Sequence, residues 1–348
     1  GFTVDLLEPD SYRRYKARPE RLREAIEGNP DKKIVIVDEI QKVPELLDII
    51  HVLMEEKPEL QFILTGSSAR KIKQKGVDFL AGRAIVRSMH PFMASELNDK
   101  FELENALKRG LVPLVVSAQN PEDTLEAYIT LYMKEEVQME GLVRNIGDFA
   151  RFLEAISFSH ASILNISNVA RECEVERKTV QAYTEVLYDL LMAYSLPVFT
   201  KKAERATVQH PKFFFFDTGV FRRLRPSGPL DRPGEIDGPA LEGLVAQHLR
   251  AWIDYSRSDL KMYYWRTKAG SEVDFIVYGK EDFWAIEVKN TRNVRKNDLR
   301  PLKTFHQDFP ESKPIFIYRG KEKLLIDNIL CFPCEAFLKA IKPSQPLS

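Results

Sequence analysis

Two adjacent carboxylates close an aliphatic run in Ile34-Val35-Ile36-Val37-Asp38-Glu39, and that order suits phosphate chemistry. A buried strand can aim Asp38 at the water shell of a Mg²⁺ ion, while Glu39 polarises a water for attack on the γ-phosphate of a nucleoside triphosphate. A parallel strand running into an acidic N-cap before a helix at Pro44 would give the same hexapeptide, so both readings stand at this point. The next aliphatic run, Phe62-Ile63-Leu64, ends in Thr65-Gly66-Ser67-Ser68. This puts small hydroxyl side chains beside Asp38 at the C-terminal sheet edge, where α/β proteins bind ligands. Thr65 is then the natural sensor of the γ-phosphate or the attacking water. Arg70 and Arg83 follow, and either could bring positive charge to a transferring phosphoryl group, Arg70 by holding the nucleotide and Arg83 in catalysis.

A second constellation lies near the C-terminus. Gly270-Ser271-Glu272-Val273-Asp274-Phe275-Ile276-Val277 leads into a hairpin at 279–282, and the return strand is Phe283-Trp284-Ala285-Ile286-Glu287-Val288-Lys289. Strand alternation puts Glu287 and Lys289 on one face, about 7 Å apart. The hairpin brings Asp274 alongside, and Glu242 on the preceding amphipathic helix can reach the same edge. Carboxylates in such a set hold a divalent ion, and a lysine beside them orients or activates an attacking water. An exposed ion pair on an antiparallel hairpin would read the same way. Arg266, Lys268, Arg292, Arg295 and Lys296 make the neighbourhood basic, which suits a phosphate backbone.

Between these lies a helix-turn-helix layout over residues 165–183. Ala170 allows close helix crossing, Val175 plugs the turn, and Arg177, Lys178, Thr179 and Gln181 open the second helix with groups that could touch DNA. A wing is expected around Lys201, Lys202 and Arg205. Glu172, Glu174 and Glu176 surround the same turn and would repel phosphate, so a protein-docking role is the alternative.

These groups need strands and helices to position them. Unalternating runs at 34–37 and 62–64 read as parallel strands buried on both faces, with a helix at Pro44–Glu56 between them. Helical spacing dominates 101–145 and continues in three patterns to Pro197, the third spanning Arg177–Tyr194. Strands are expected at 198–199 and 213–216. Residues 225–239, rich in Pro and Gly, read as a linker or long surface loop. Beyond it come a helix at 241–255, strands at 262–266, 273–278 and 283–289, a helix at 298–309 and a strand at 315–318.

The 348 residues imply two to three domains. With 51 basic and 51 acidic residues the chain carries no net charge, so a nucleic-acid surface must be a local patch. A composition 44% hydrophobic and 29% charged excludes a disordered or collagen-like chain. No apolar run approaches the ~20 residues of a membrane span, and no charged-then-apolar leader opens the chain, so a cytoplasmic location is expected. Three cysteines argue against a disulfide framework; Cys331 and Cys334 form one Cys-x-x-Cys without the second pair a zinc site needs.

The strings at 37–44, 64–68 and Leu80-Ala81-Gly82-Arg83 resemble the AAA-type P-loop ATPases, related to archaeal ATPases, whose C-terminal half carries the domain catalogued as DUF4143. The resemblance covers nearly the whole chain. It makes 34–39 a Walker B element and implies ATP and Mg²⁺ as cofactors. The family's Gly-x-x-x-x-Gly-Lys-Ser/Thr loop is missing here: residues 1–33 contain only Gly1 and Gly28, and 4–7 look like the strand that follows the P-loop helix. The chain as given is therefore expected to bind ATP weakly or not at all, and ATP hydrolysis is expected of a full-length protein that supplies the loop. Glu242, Asp274 and Glu287-x-Lys289, in α-β-β-β-α-β order, resemble the PD-(D/E)XK nuclease core. The expected fold class is therefore α/β, with an N-terminally truncated AAA-type domain (1–100), connecting helices (101–145), a winged helix-turn-helix (146–216) and a nuclease-like α/β domain (217–348). The implied function is ATP hydrolysis coupled to action on DNA, with oligomers possible and no membrane partner. The rivals are a Mg²⁺-dependent DNA nuclease with a vestigial ATPase domain and a non-enzymatic, protein-binding regulator.

Overall fold

The computed structural model describes residues 1–66, 84–132, 137, 143, 145–200 and 210–347. Arg70 and Arg83, with Ser67 and Ser68, and the expected wing residues Lys201, Lys202 and Arg205 lie outside the described residues. The chain divides into two compact units, 1–86 with 187–191, and 87–186 with 192–348.

The first unit is built on three parallel strands in the order β1 (Phe2–Asp5), β2 (Ile34–Asp38), β3 (Gln61–Leu64). Helices Pro9–Ala17 and Arg21–Glu27 connect the first two strands, and helix Leu46–Glu56 connects the second pair. The last of these forms because Leu46, Leu47, Ile50 and Leu53 recur at three-to-four spacing, and all four are buried with Val35 and Val37. Asp5 pairs with Asp38 and Val37 with Leu64 in register, so all three strands end level.

From residue 146 on, helix Ile146–Ser157 is followed by β4 (Ser162–Ile163), helices Ile166–Cys173 and Arg177–Asp189, then β5 (Ala193–Leu196) and β6 (Lys212–Phe215). Asn145 and Asn165 each cap their helix with a side-chain oxygen that accepts two backbone N–H groups. The sheet order is β4-β6-β5, antiparallel. The helix expected to reach Tyr194 stops at Asp189. Leu191 has a left-handed φ of 59°, and residues 193–196 pair with the wholly buried β6, a sheet contact that outweighs the helical spacing.

The larger sheet follows helix Pro233–Ser256. Its strands are β7 (Lys261–Arg266), β8 (Glu272–Tyr278), β9 (Phe283–Lys289), β10 (Lys313–Tyr318), β11 (Leu324–Ile326) and β12 (Ile329–Pro333), ordered β11-β12-β10-β9-β8-β7. β7, β8 and β9 are antiparallel neighbours; β9, β10 and β12 are parallel, with helix Arg300–Asp308 crossing from β9 to β10. Phe199, Trp265, Phe305 and Phe309 share one core with Ile276, Ala285 and Phe316. Residues 233–239, expected as linker, instead form the first turns of the helix carrying Glu242. Pro233 occupies its first position, where a proline forfeits no hydrogen bond, and Pro239 is accommodated inside it. Cys331 and Cys334 are buried free thiols, pushed up to about 11 and about 12 by burial.

One junction in the second unit concentrates its polar cost. Asp217 is fully buried and accepts N–H bonds from Leu111 at 2.7 Å, and from Gly219 and Val220 at the start of helix Thr218–Leu224. Burial nonetheless pushes its carboxyl up to about 6. Gly110, at φ 73° and ψ −167°, makes the space: a Cβ there would come within 1.9 Å of an Asp217 oxygen.

His248 is equally enclosed. Its Nδ1–H donates to Leu244 O and its Nε2 accepts from Ala94 N, so both nitrogens are satisfied in the neutral form. Burial pushes its pKa down to about 4. With the folded value below the unfolded ~6.5, the neutral ring's contribution is complete above pH 6.5 and disappears as pH falls toward 4, about 3 kcal/mol at most. Urea unfolding from pH 7.5 to 4.5 should show His248→Gln losing stability less steeply than the parent; parallel losses would refute this. The comparison also cancels Asp217, whose raised value acts in the opposite sense.

Candidate functional site

The level strand ends of the first unit place Asp38 and Thr65 side by side. Thr65 Oγ1 donates to Asp38 Oδ1, and Glu39 N donates to the same Thr65 oxygen at 3.2 Å. Backbone bonds lock the pair: Thr65 N donates to Val37 O and Ile40 N donates to Thr65 O, both at 3.0 Å. Glu39 leaves the strand in a left-handed conformation, φ 56°, and its carboxylate accepts from the Gln41 side-chain amide. The turn thus keeps Asp38 in line with β2 while directing Glu39 away from it. Asp38 and Glu39 are half-buried and Thr65 is exposed, so a ligand could reach all three.

In the second unit two of the four predicted residues, Glu242 and Asp274, meet around an amino group the sequence reading did not weigh, while Glu287 and Lys289 pair with each other on β9. Lys212, 2% exposed at its side chain, places Nζ 2.8 Å from Glu242, 2.6 Å from Glu272 and 3.6 Å from Asp274. Its Nζ also lies 5.4 Å from the centre of the Tyr264 ring. Asp274 Oδ2 accepts Val288 N at 2.8 Å, tying β8 to β9 next to Glu287. Glu287, buried, pairs with Lys289 at 2.6 Å, and its other oxygen has no hydrogen-bond partner among the described residues.

Charge crowding here has clear directions. Burial and the Asp274 charge push Glu242 up to about 8, and the same two causes hold Glu287 well above the usual carboxylate range. Burial alone would lower Lys212, but Glu242, Asp274 and Glu272 outweigh it and raise it. Lys289 is likewise raised, by Asp274 and Glu287 against burial. The only hint of Lys212 in the sequence is a lysine abutting the run Phe213 to Phe216: a charge in a strand otherwise written for burial.

The helix pair presents its predicted residues to solvent. Arg177, Lys178 and Gln181 are exposed and Thr179 is half-buried at the start of helix Arg177–Asp189, while Val180 and Tyr183 turn inward. Tyr183 packs edge-on against Phe149 and Phe152 of helix Ile146–Ser157. Glu174, at φ 57°, closes the preceding helix, and Val175 N bonds back to Ala170 O across the turn.

Comparison with known proteins finds three family matches along the chain. Residues 2–98 match the AAA domain family, 100–231 a domain of unknown function designated DUF8612, and 237–337 the domain of unknown function DUF4143. The matches thus define an AAA domain followed, after the DUF8612 segment, by a DUF4143 domain. A protein of Mycobacterium bovis and one of Mycobacterium tuberculosis, each described as uncharacterized, are 22% identical to it over 313 residues, 88% of this chain and 69% of theirs. No solved structure matches. No helix among the described residues is long and apolar enough to cross a membrane.

Proposed function

We propose that the protein binds and hydrolyses ATP at the C-terminal edge of the β1-β2-β3 sheet and couples this to contact with DNA. The observation that carries the reading is the Thr65 hydroxyl bonded to the Asp38 carboxylate, with the Glu39 amide on the same hydroxyl. This donor set fits the Mg²⁺ complex of ATP, with Asp38 toward the ion's water shell and Glu39 toward a water near the terminal phosphate. Bound ATP supplies the phosphoanhydride. The chain's own residues hold and polarise, with Gln41 fixing the direction of Glu39. Arg70 and Arg83 belong to the same proposal as sources of positive charge. The test is titration of the full-length protein with a fluorescent ATP analogue. Asp38→Ala should remove the Mg²⁺ dependence of binding, and Mg²⁺-dependent binding that survives it would refute the site.

From residue 146 on, the order helix, β4, helix, helix, β5, β6 supports a winged helix, and helix, β7, β8, β9, helix, β10 supports a PD-(D/E)XK-like core. The exposed Arg177, Lys178 and Gln181 support DNA as the partner, and the equally exposed Glu172, Glu174 and Glu176 beside them support the protein-docking alternative. Charge reversal of Arg177 and Lys178 to Glu should weaken duplex binding across sequences and reduce the slope of log affinity against log salt by about one for each contact. An unchanged slope would move the partner to protein.

A further inference from the structure

The carboxylates of the nuclease-like core are turned onto an ammonium. Oxygens of Glu242, Glu272 and Asp274 converge on Lys212 Nζ, and Glu287 is turned instead to Lys289. Among the described residues no three Asp, Glu, His or Cys side chains are disposed to hold a metal ion, so in this arrangement the donor set does not fit a divalent cation.

Lys212 is fixed where it is. Its backbone lies in the middle strand, paired with Ile163 of β4 on one side and Leu196 of β5 on the other. The chain beyond β5 is in turn stitched to β7 by Phe199 N to Tyr264 O at 2.7 Å and Tyr264 N to Pro197 O at 3.0 Å. The Tyr264 hydroxyl donates to His210 O, two residues before Lys212, and its ring lies near the ammonium. An ammonium needs hydrogen-bond acceptors, and three carboxylates supply them. A divalent ion among the same oxygens would meet the lysine's positive charge at close range, in surroundings that screen poorly. We propose that Lys212 is the resident cation of this cluster and excludes divalent metal from it, so that the carboxylates are held together by a side chain from the neighbouring three-stranded sheet.

The test is Mn²⁺ binding followed by electron paramagnetic resonance, in an Asp38→Ala background that removes the N-terminal candidate site. The background protein should bind no Mn²⁺ that is lost on adding Asp274→Asn or Glu242→Gln. Lys212→Met should create a Mn²⁺ site that the background lacks, and adding Asp274→Asn should abolish it. Lys212→Met/Glu272→Gln removes one charge of each sign and leaves Glu242, Asp274 and Glu287, so it offers a charge-balanced variant if the single one does not fold. A Mn²⁺ site in the Asp38→Ala protein that disappears with Asp274→Asn would overturn the proposal. Folded Lys212 variants that bind no Mn²⁺ would overturn it equally. If neither Lys212 variant folds, the background comparison alone decides.

Discussion

Glu39→Gln should lower ATP turnover by the full-length protein about 100-fold or more while leaving ATP affinity within about twofold, the size expected when a positioned general base is lost. Glu39 is the residue whose role depends most on the local backbone. Its left-handed φ of 56° turns it out of the β2 line, and the Gln41 amide holds its carboxylate. The amide of a substituted glutamine has nearly the same shape and can keep a hydrogen bond to Gln41, so binding should persist. Steady-state phosphate release and analogue titration separate the two effects. Unchanged turnover would remove Glu39 from the chemistry, and a parallel loss of affinity would make its role one of nucleotide binding.

Gly110→Ala should cost the second unit about 3 kcal/mol or more, because two independent penalties meet at one atom. The backbone there, φ 73° and ψ −167°, is open to glycine almost alone, and the added methyl would overlap the Asp217 carboxylate that caps helix Thr218–Leu224. Thermal unfolding should fall by roughly 6–12 °C for a unit of this size. Asp217→Ala leaves the Leu111, Gly219 and Val220 amides without their acceptor and should cost about 2–4 kcal/mol. The double variant should lose less than the sum, since the second change removes the group that the first collides with. A Gly110→Ala protein that melts within about 2 °C of the parent would refute the account of this junction.

How much of this was legible in the sequence depended on the range of the interactions. The β2 and β3 strands, as short aliphatic runs, the helix between them and the β8-β9 hairpin were readable from local sequence, but the expected burial on both faces was not met: Ile34 and Ile63 are exposed. The meeting of Asp38 with Thr65 was readable too, since parallel strands that end level must bring their C-terminal residues together. The junction after Asp189 was not readable: the helical spacing of Val180 to Leu191 runs past it, and only pairing with the buried β6, some twenty residues on, makes Ala193 to Leu196 a strand. The start of helix Pro233–Ser256 was hidden by its prolines and glycines, whose local preference is for a loop. Lys212 was missed because a lone lysine beside phenylalanines carries no motif. Its meaning appears only when helix Pro233–Ser256 and β8 deliver three carboxylates to it. The sequence pattern for Glu242, Asp274, Glu287 and Lys289 pointed to one locality, and it left out the cation already built into it.

The central claim is that nucleotide occupies the edge formed by Asp38, Glu39 and Thr65, and hydrogen exchange on the full-length protein locates it most directly. On adding Mg²⁺ and a slowly hydrolysed ATP analogue, peptides covering 36–43 and 61–66 should exchange more slowly, and Asp38→Ala should abolish the change. Protection confined to the second unit, or protection at 36–43 and 61–66 that Asp38→Ala leaves intact, would contradict the account.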